Sequence, residues 1–514
     1  MRSRRTILPL LVLVGGGATM GVEMCASRLL APYFGNSLPV WGAVIGLLLA
    51  YLAVGSAVGG RLADRQPEAA LLYKTAAWAG FTVGLVPLLA QPILRYSVVG
   101  FSQYRAGPVL GSLIGILALF AVPVVLLGCI SPFAVRLSVE SASDSGRAAG
   151  RIYALSTAGS LVGTFTTVFL LIPNVGTRRT ILTISVSVML IAIVGLFQDG
   201  RRKALPYLLL LAAILVLQFL PLGAIRRTEG LIYETDSAYN YIQVIRQGEE
   251  IVLKLNEGEG IQSTYKPDQV LTGYFYDYFL LAPFFRRQEH RSTVDSLCVI
   301  GLAAGTTARQ YSATFGSIPI DGVEIDPAVV DAGQRYFDMN LPNLEIIVED
   351  GRYFLAHSQR HYDVILVDAY NPPYIPFQLT TAEFFREVDD HLTPDGVLAI
   401  NVARTEIDYA LVNAIASTLH TVYPSVYVMD MLGNLNSIVL ASRQPTALDV
   451  VKGRLARQID PILTDVVARA SGRMWEFTQP TGEPLTDDRA PIEQMVHAMV
   501  ARYFLGQPIE EVRE

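Results

Sequence analysis

Acidic residues recur in the second half of the chain at intervals suited to holding a nucleoside. Glu324 stands in Gly322-Val323-Glu324-Ile325-Asp326-Pro327, Asp350 in Glu349-Asp350-Gly351-Arg352, and Asp368 closes Tyr362-Asp363-Val364-Ile365-Leu366-Val367-Asp368. Ahead of them the apolar Cys298-Val299-Ile300 runs into a small-residue turn, Gly301-Leu302-Ala303-Ala304-Gly305-Thr306-Thr307. Small residues let backbone approach a ligand closely, and a helix opening at the turn offers unpaired N–H donors. A carboxylate about 20 positions further on can accept both hydroxyls of a ribose. Asp350 is placed to receive the exocyclic amine of adenine. Asp368, followed by Ala369-Tyr370-Asn371-Pro372-Pro373, is placed to face a substrate. Any one of these acids reads equally well as a helix cap or surface charge. Their succession at consecutive strand ends is what points to chemistry.

The elements that must carry these residues follow from periodicity. Strands are expected at 296–301, 319–324, 344–348, 363–368, 396–402, 424–429 and 436–441, with helices near 304–315, 327–338, 379–391 and 406–421. Such alternation builds a parallel sheet whose ligands bind beyond the carboxyl ends of the strands. Before it, Tyr241-Ile242-Gln243-Val244-Ile245 and Ile251-Val252-Leu253-Lys254-Leu255 flank Gln247-Gly248-Glu249-Glu250 and read as a hairpin.

The first 225 residues differ in kind. Apolar runs at about 6–24, 39–59, 70–90, 108–130, 152–173, 179–197 and 205–223 each approach the roughly 20 residues a helix needs to cross a bilayer. The first leads into Glu23 and Arg28 without a small-residue cleavage site and is expected to be a span, not a removable signal. Cytoplasmic connections hold more Lys and Arg. Arg2, Arg4, Arg5, Arg61, Arg65, Lys74, Arg136, Arg147, Arg151, Arg201, Arg202 and Lys203 fall on the N-terminal side, against Arg28, Arg95, Arg105, Arg178, Arg179, Arg226 and Arg227 on the other. This favours a cytoplasmic N-terminus. The segment Gly59-Gly60-Arg61-Leu62-Ala63-Asp64-Arg65 resembles the cytoplasmic loop after the second helix of major facilitator transporters. Seven spans would then put the C-terminal half outside, whereas nucleoside cofactors are kept in the cytosol, so the side stays open. Glu23 and Arg28 lie at the end of the first run. Their cost near a membrane suggests function, the alternative being that Arg28 reaches the headgroups while Glu23 caps or pairs locally.

A net charge of −6, from 40 Lys+Arg and 46 Asp+Glu, leaves no basic surface for nucleic acid. Cys25, Cys129 and Cys298 are scattered and imply no disulfide framework. His357 and His361 straddle a helix end without a third ligand, so no metal is expected.

Residues about 235–440 resemble the polyamine aminopropyltransferases, the spermidine synthase family. Ala238-Tyr239-Asn240-Tyr241-Ile242-Gln243-Val244 is similar to the family's opening strand, Gly258-Glu259-Gly260-Ile261-Gln262 to its Gly-x-x-Gln segment, and Tyr276-Asp277 to its Tyr-His-Glu position. Val323-Glu324-Ile325-Asp326 and Asp350-Gly351 are similar to its nucleoside-binding motifs, while Leu485-Thr486-Asp487-Asp488-Arg489-Ala490-Pro491 and the helical preamble resemble membrane-fused members. The resemblance implies decarboxylated S-adenosylmethionine as co-substrate. Gln262, Gly301, Gly305, Glu324, Asp350, Gly351 and Asp368 would bind it, and Asp368, Tyr276 and Asn371 would stand at the reacting atoms. Two departures bear on the chemistry. Ala304 replaces the acid that holds the aminopropyl ammonium, which makes intact S-adenosylmethionine an alternative. Asn371 replaces the acid that deprotonates the attacking amine, and an amide takes no proton at neutral pH, leaving Asp368, Tyr276 or Asp277 as candidates.

The expected architecture is an α-helical transmembrane bundle of about seven spans (1–225), a small β subdomain (226–290) and a Rossmann-like, methyltransferase-type α/β domain (291–514). The expected activity is aminopropyl or related alkyl transfer to a small amine or a lipid-associated acceptor, by a multi-pass protein of the inner cell membrane. Methyl transfer or elimination from S-adenosylmethionine is one alternative, and a transporter or sensor with a non-catalytic nucleoside-binding domain is another. The sequence leaves a homodimer open.

Overall fold

The structure, a computed structural model, describes residues 4–34, 38–101, 107–139, 141, 144–219, 226, 228–256, 260–287, 294–371, 373–431, 433 and 435–505. Of the residues read above, Arg2, Arg105, Arg227, Gly258, Glu259 and Pro372 lie outside these, as does the end of the run 205–223. The chain packs into two compact units, Met1–Thr228 with Glu234–Tyr241, and Glu229–Tyr233 with Ile242–Glu514.

The first unit is helical: α1 (Arg4–Phe34), α2 (Leu38–Arg65), α3 (Ala69–Phe101), α4 (Gly107–Gly128), α5 (Ile130–Ser138), α6 (Ser145–Phe165), a π-helical turn (Thr166–Leu171), α7 (Ile172–Asp199) and α8 (Arg201–Phe219). Five stretches are long and apolar enough to cross a membrane: Ile7–Phe34, Val40–Arg65, Ala69–Ser97, Gly111–Ser138 and Ser145–Gln198. Small residues let these helices touch backbone to backbone. A side chain at Gly16 would run into the Ser156 carbonyl, one at Gly159 into that of Leu13, and one at Gly55 into that of Val125. Inside α7 the helix breaks at Gly176, where φ is 77° and ψ is 164°. The first apolar run does not end at Glu23, because α1 continues to Phe34. Glu23 therefore lies inside this apolar stretch and not at its end.

After the helices come the strands β1 (Leu231–Asp236), β2 (Tyr241–Gln247), β3 (Glu250–Leu255) and β4 (Ile261–Tyr265), a four-stranded sheet in that order. The expected hairpin is β2–β3, antiparallel with Arg246 opposite Ile251, and a strand the sequence did not suggest, β1, precedes it. After the short α9 (Tyr276–Phe279) come β5 (Leu297–Ile300), α10 (Thr306–Phe315), β6 (Ile320–Glu324), α11 (Pro327–Tyr336), β7 (Leu344–Val348), α12 (Gly351–His357), β8 (Tyr362–Val367), α13 (Ala382–Asp390), β9 (Leu392–Ala403), α14 (Ala410–Leu419), β10 (Ser425–Asp430) and β11 (Asn436–Ser442). The chain closes with α15 (Leu448–Leu455), α16 (Pro461–Ala470), β12 (Met474–Glu476) and α17 (Ile492–Leu505). The larger sheet has the order β12-β10-β11-β9-β8-β5-β6-β7. Its β7-β6-β5-β8-β9 part is parallel and the rest antiparallel. The order reverses between β5 and β8, the switch point where open α/β sheets bind ligands.

Both central strands are buried throughout, which is why they read as unbroken apolar runs. Alternate residues serve opposite faces. Leu297, Val299, Val364 and Leu366 pack with Tyr311 on one side, while Cys298, Ile300, Ile365 and Val367 pack with Phe384 and Phe385 on the other.

Candidate functional site

The turn after β5 is built from unusual backbone. Gly301 and Gly305 have φ of 91° and 84°, and Ala303 has φ of 48°. Glycine accepts such angles freely, whereas alanine is strained there, and strain of this kind concentrates at functional sites. Its effect is to aim amides. The Ala303 N–H donates to Glu324 Oε2 at 2.9 Å, and the Ala304 N–H donates to Ser263 Oγ at 2.9 Å. Thr306 Oγ1 donates to the Thr264 carbonyl and receives the Thr264 N–H, both at 2.9 Å. The turn is thus stapled to β4, on which half-buried Gln262 precedes Ser263.

The neighbouring strand ends close on this turn. A side chain at Gly301 would meet the Asp368 carbonyl, and the Asp368 N–H donates to Ile300 O at 2.8 Å. A side chain at Gly351 would collide with Ile300, and the Glu349 N–H donates to Glu324 O at 3.1 Å. Gly301, Gly305, Glu324, Asp350, Gly351 and Asp368 are therefore gathered around one loop.

Each acid has a distinct environment. Glu324 Oε1 accepts the Asp326 N–H at 3.1 Å while Oε2 holds Ala303. Burial pushes its carboxyl up to about 7 against the pull of these two donors. Asp350 caps α12, its Oδ1 accepting the N–H groups of Arg352 and Tyr353 at 3.0 Å, and among the described residues no hydrogen bond reaches its Oδ2. Asp368 Oδ1 accepts only Asn401 Nδ2, at 2.9 Å, and burial pushes its carboxyl up to about 8.

The other candidates divide. Tyr276 is fully buried and donates to the Ile261 carbonyl at 2.8 Å. Burial, then the charge of Asp368, holds its phenol well above the usual range, so it is a donor and not a base. Asp277 turns elsewhere, toward Thr272, Gly273, Gln310 and Arg469. Asn371 is exposed, its backbone paired with that of Tyr374.

Sequence reasoning missed the support behind Asp368. Asn436 Nδ2 donates to Asn401 Oδ1 at 2.9 Å, and Tyr370 Oη donates to the Asn401 carbonyl at 3.1 Å. The available signal was Asn401 itself, an amide between Ile400 and Val402 in a buried strand. It also missed the clasp that fixes α12. Arg352 donates to both oxygens of Glu387 and both of Asp487, and Asp487 in turn receives Thr381 Oγ1 at 2.7 Å. Arg352 holds the Asp487 carboxyl below its ordinary range. A separate cavity of about 290 Å³, bordered by Glu250, Lys266, Thr272 and Arg309, is lined by none of Glu324, Asp350 or Asp368. Among the described residues no group of three or more His, Cys, Asp or Glu is placed to hold a metal.

The doubly wound sheet, the glycine turn and the acids at successive strand ends place these side chains together at the switch point of an open α/β domain. Residues 299–443 match the family model described as the spermine/spermidine synthase domain. A probable polyamine aminopropyl transferase of Bifidobacterium longum is 33% identical over 290 residues, covering 52% of this chain and 63% of that protein. The match thus spans less than two thirds of that relative's own length. The human eEF1A lysine and N-terminal methyltransferase is 27% identical over 163 residues, 29% of this chain and 23% of that one. A crystal structure of spermidine synthase in complex with the transition state analogue AdoDATO is 18% identical, covers 47% of this chain and 84% of that one, and gives a TM-score of 0.38. Through residues 299–443 the chain is similar to the spermine/spermidine synthase domain, and over about half its length to polyamine aminopropyltransferases.

Proposed function

We propose that the protein is a membrane-anchored, spermidine synthase-like transferase that binds decarboxylated S-adenosylmethionine or S-adenosylmethionine and moves an aminopropyl or related alkyl group to an amine. The observation that carries this reading is the gathering of Glu324, Asp350 and Asp368 around the Gly301–Gly305 turn. When bound, the sulfonium co-substrate supplies an electrophilic carbon and a thioether leaving group. Glu324 accepts the ribose hydroxyls with lone pairs its two backbone donors leave over. Asp350 receives the adenine amine at Oδ2. Asp368 aligns the acceptor nitrogen with the carbon next to sulfur and takes its proton as the N–C bond forms and the C–S pair passes to sulfur. A carboxyl raised to about 8 suits that task, because a base works best with a pKa near the operating pH.

One observation favours a second donor. Ala304 is 2% exposed and presents a methyl group where the family's turn carries the acid that pairs with the decarboxylated tail. Intact S-adenosylmethionine, used for methyl transfer or elimination, would meet no repulsion there, and one matched relative is named as a methyltransferase.

The helical unit supplies the anchor. Ser145–Gln198 is 54 residues, about 80 Å as one straight helix against roughly 30 Å of hydrocarbon. Read as two crossings broken at Gly176, with α8 as another, it yields a seven-span protein of the cell membrane. Titration calorimetry of the full-length protein in detergent, with each form of the co-substrate, tests the assignment, with product analysis after adding putrescine. Saturable binding of one form and a nucleoside thioether product are expected. If neither form binds, the transferase reading fails.

A further inference from the structure

Glu23 is the acidic side chain left unexplained. It lies two to three residues past the midpoint of Ile7–Phe34, or roughly 4 Å along the axis at 1.5 Å per residue. It is 9% exposed, and among the described residues no hydrogen bond or ion pair reaches its carboxylate. The nearest cation in sequence, Arg28, is committed to the Ser237 carbonyl at 2.8 Å and to Asp236 at 4.0 Å. An unpaired carboxylate at that depth is costly, and groups kept at such cost serve function.

The polar groups along α1 and α6 in the two turns that lead up to it have one chemical character. Gly16, two turns earlier on the same stripe of α1, is pressed against α6 at the Ser156 carbonyl, and its own carbonyl receives Ser160 Oγ at 3.2 Å. Thr19, one turn before Glu23, donates to Gly15 O at 2.9 Å. On α6, Ser156 bonds Ser131 at 3.2 Å and Thr164 donates to Ser160 O at 2.9 Å. Gly159 packs on Leu13 and Gly163 on Gly17, so the two helices run in the same direction and their polar stripes climb together. The π-helical turn begins at Thr166, two residues past Thr164, an irregularity common at functional sites. These groups are hydroxyls and carbonyl oxygens. A divalent metal would need more carboxylates, whereas a primary ammonium offers three donors, one for a carboxylate and the others for neutral oxygens.

We propose that Glu23 is a binding site for a protonated primary amine within the helical bundle. The proposal rests on the membrane-spanning, amine-transferring reading above and assigns the bundle a role in holding the acceptor or product. The test is binding of radiolabelled putrescine to the full-length protein in lipid nanodiscs, in the Asp368→Asn background so that the soluble site does not contribute. Retained binding that weakens roughly tenfold or more on adding Glu23→Gln is expected. Calorimetric binding of the nucleoside co-substrate by the single Glu23→Gln variant serves as the folding control. Putrescine binding absent from Asp368→Asn, or indifferent to Glu23→Gln, overturns the proposal. So does a Glu23-dependent proton release that putrescine leaves unaffected, which would make the residue a proton site only. If the parent protein binds neither form of the co-substrate while Glu23-dependent amine binding persists, the transferase reading falls and this site stands.

Discussion

Two aspartates of the α/β unit sit in regions of opposite design. Around Asp277, at the start of α9, both oxygens are saturated: Oδ1 accepts the Thr272 N–H and hydroxyl at 2.8 Å and Gln310 Nε2 at 2.6 Å, and Oδ2 accepts the Gly273 N–H and Arg469 at 2.8 Å. Around Asp368, at the end of β8, a single amide holds one oxygen, and no hydrogen bond reaches Oδ2 among the described residues. The difference separates architecture from reactivity. A carboxylate with every lone pair engaged locks a loop to two helices and has nothing left for a substrate, while one that is buried and under-supplied with donors holds its proton near neutral pH.

The sharpest way to break this contrast is Asp277→Asn. The amide presents donors to donors and leaves Arg469 only its pair with the more exposed Asp465, so a loss of about 3–5 kcal/mol is expected, read as a melting temperature lower by roughly 10 °C. An unchanged melting temperature would make the Asp277 region as dispensable as any surface cap. Asp368→Asn should act in the other currency, cutting turnover by about 10²–10⁴-fold through loss of the base. Its effect on stability has a definite sign. Because folding raises the Asp368 carboxyl from 3.8 to about 8, its contribution to stability is complete below about pH 4 and is lost as pH rises through 8. The Asn variant should therefore melt higher than the parent at pH 9, with the gap closing toward pH 4, as a pH series of thermal melts would show. The smallest effect expected is that of Asn401→Ala. Removing the one donor lifts Asp368 further and should move the alkaline rise in the activity profile up by roughly half to one pH unit. A profile that merely drops without shifting would leave Asn401 as packing.

The alternation of buried strands and amphipathic helices was readable from residue 296 to 441 because each central strand is apolar on both faces. The acids at the ends of β6, β7 and β8 were readable because each closes an expected strand, only β8 being apolar on both faces. Less visible was which way a side chain points once the chain leaves the sheet. Tyr276 and Asp277 are adjacent, yet the α9 turn sends one toward Ile261 and the other toward Arg469. The Arg352–Asp487 pairing joins residues 135 apart in sequence, which no local pattern reports. α12 is seven residues long, too short for helical periodicity to register, and is announced only by its capping Asp350. The depth of Glu23 was misread because Glu23 and Arg28 interrupt the apolar run, whereas α1 continues through both to Phe34.

The larger sheet has two rims, and both are blunted against adding a foreign strand. At one, β12 has only three residues, too few to template a partner. At the other, β7 carries Glu345, paired at 2.9 Å with Arg360, which also reaches Asp321 at 2.6 Å. Charges on a border strand discourage edge-to-edge zippering. A chain so rich in apolar helix is at risk of clumping wherever those helices stand exposed to water, and this sheet adds no sticky selvedge to that hazard.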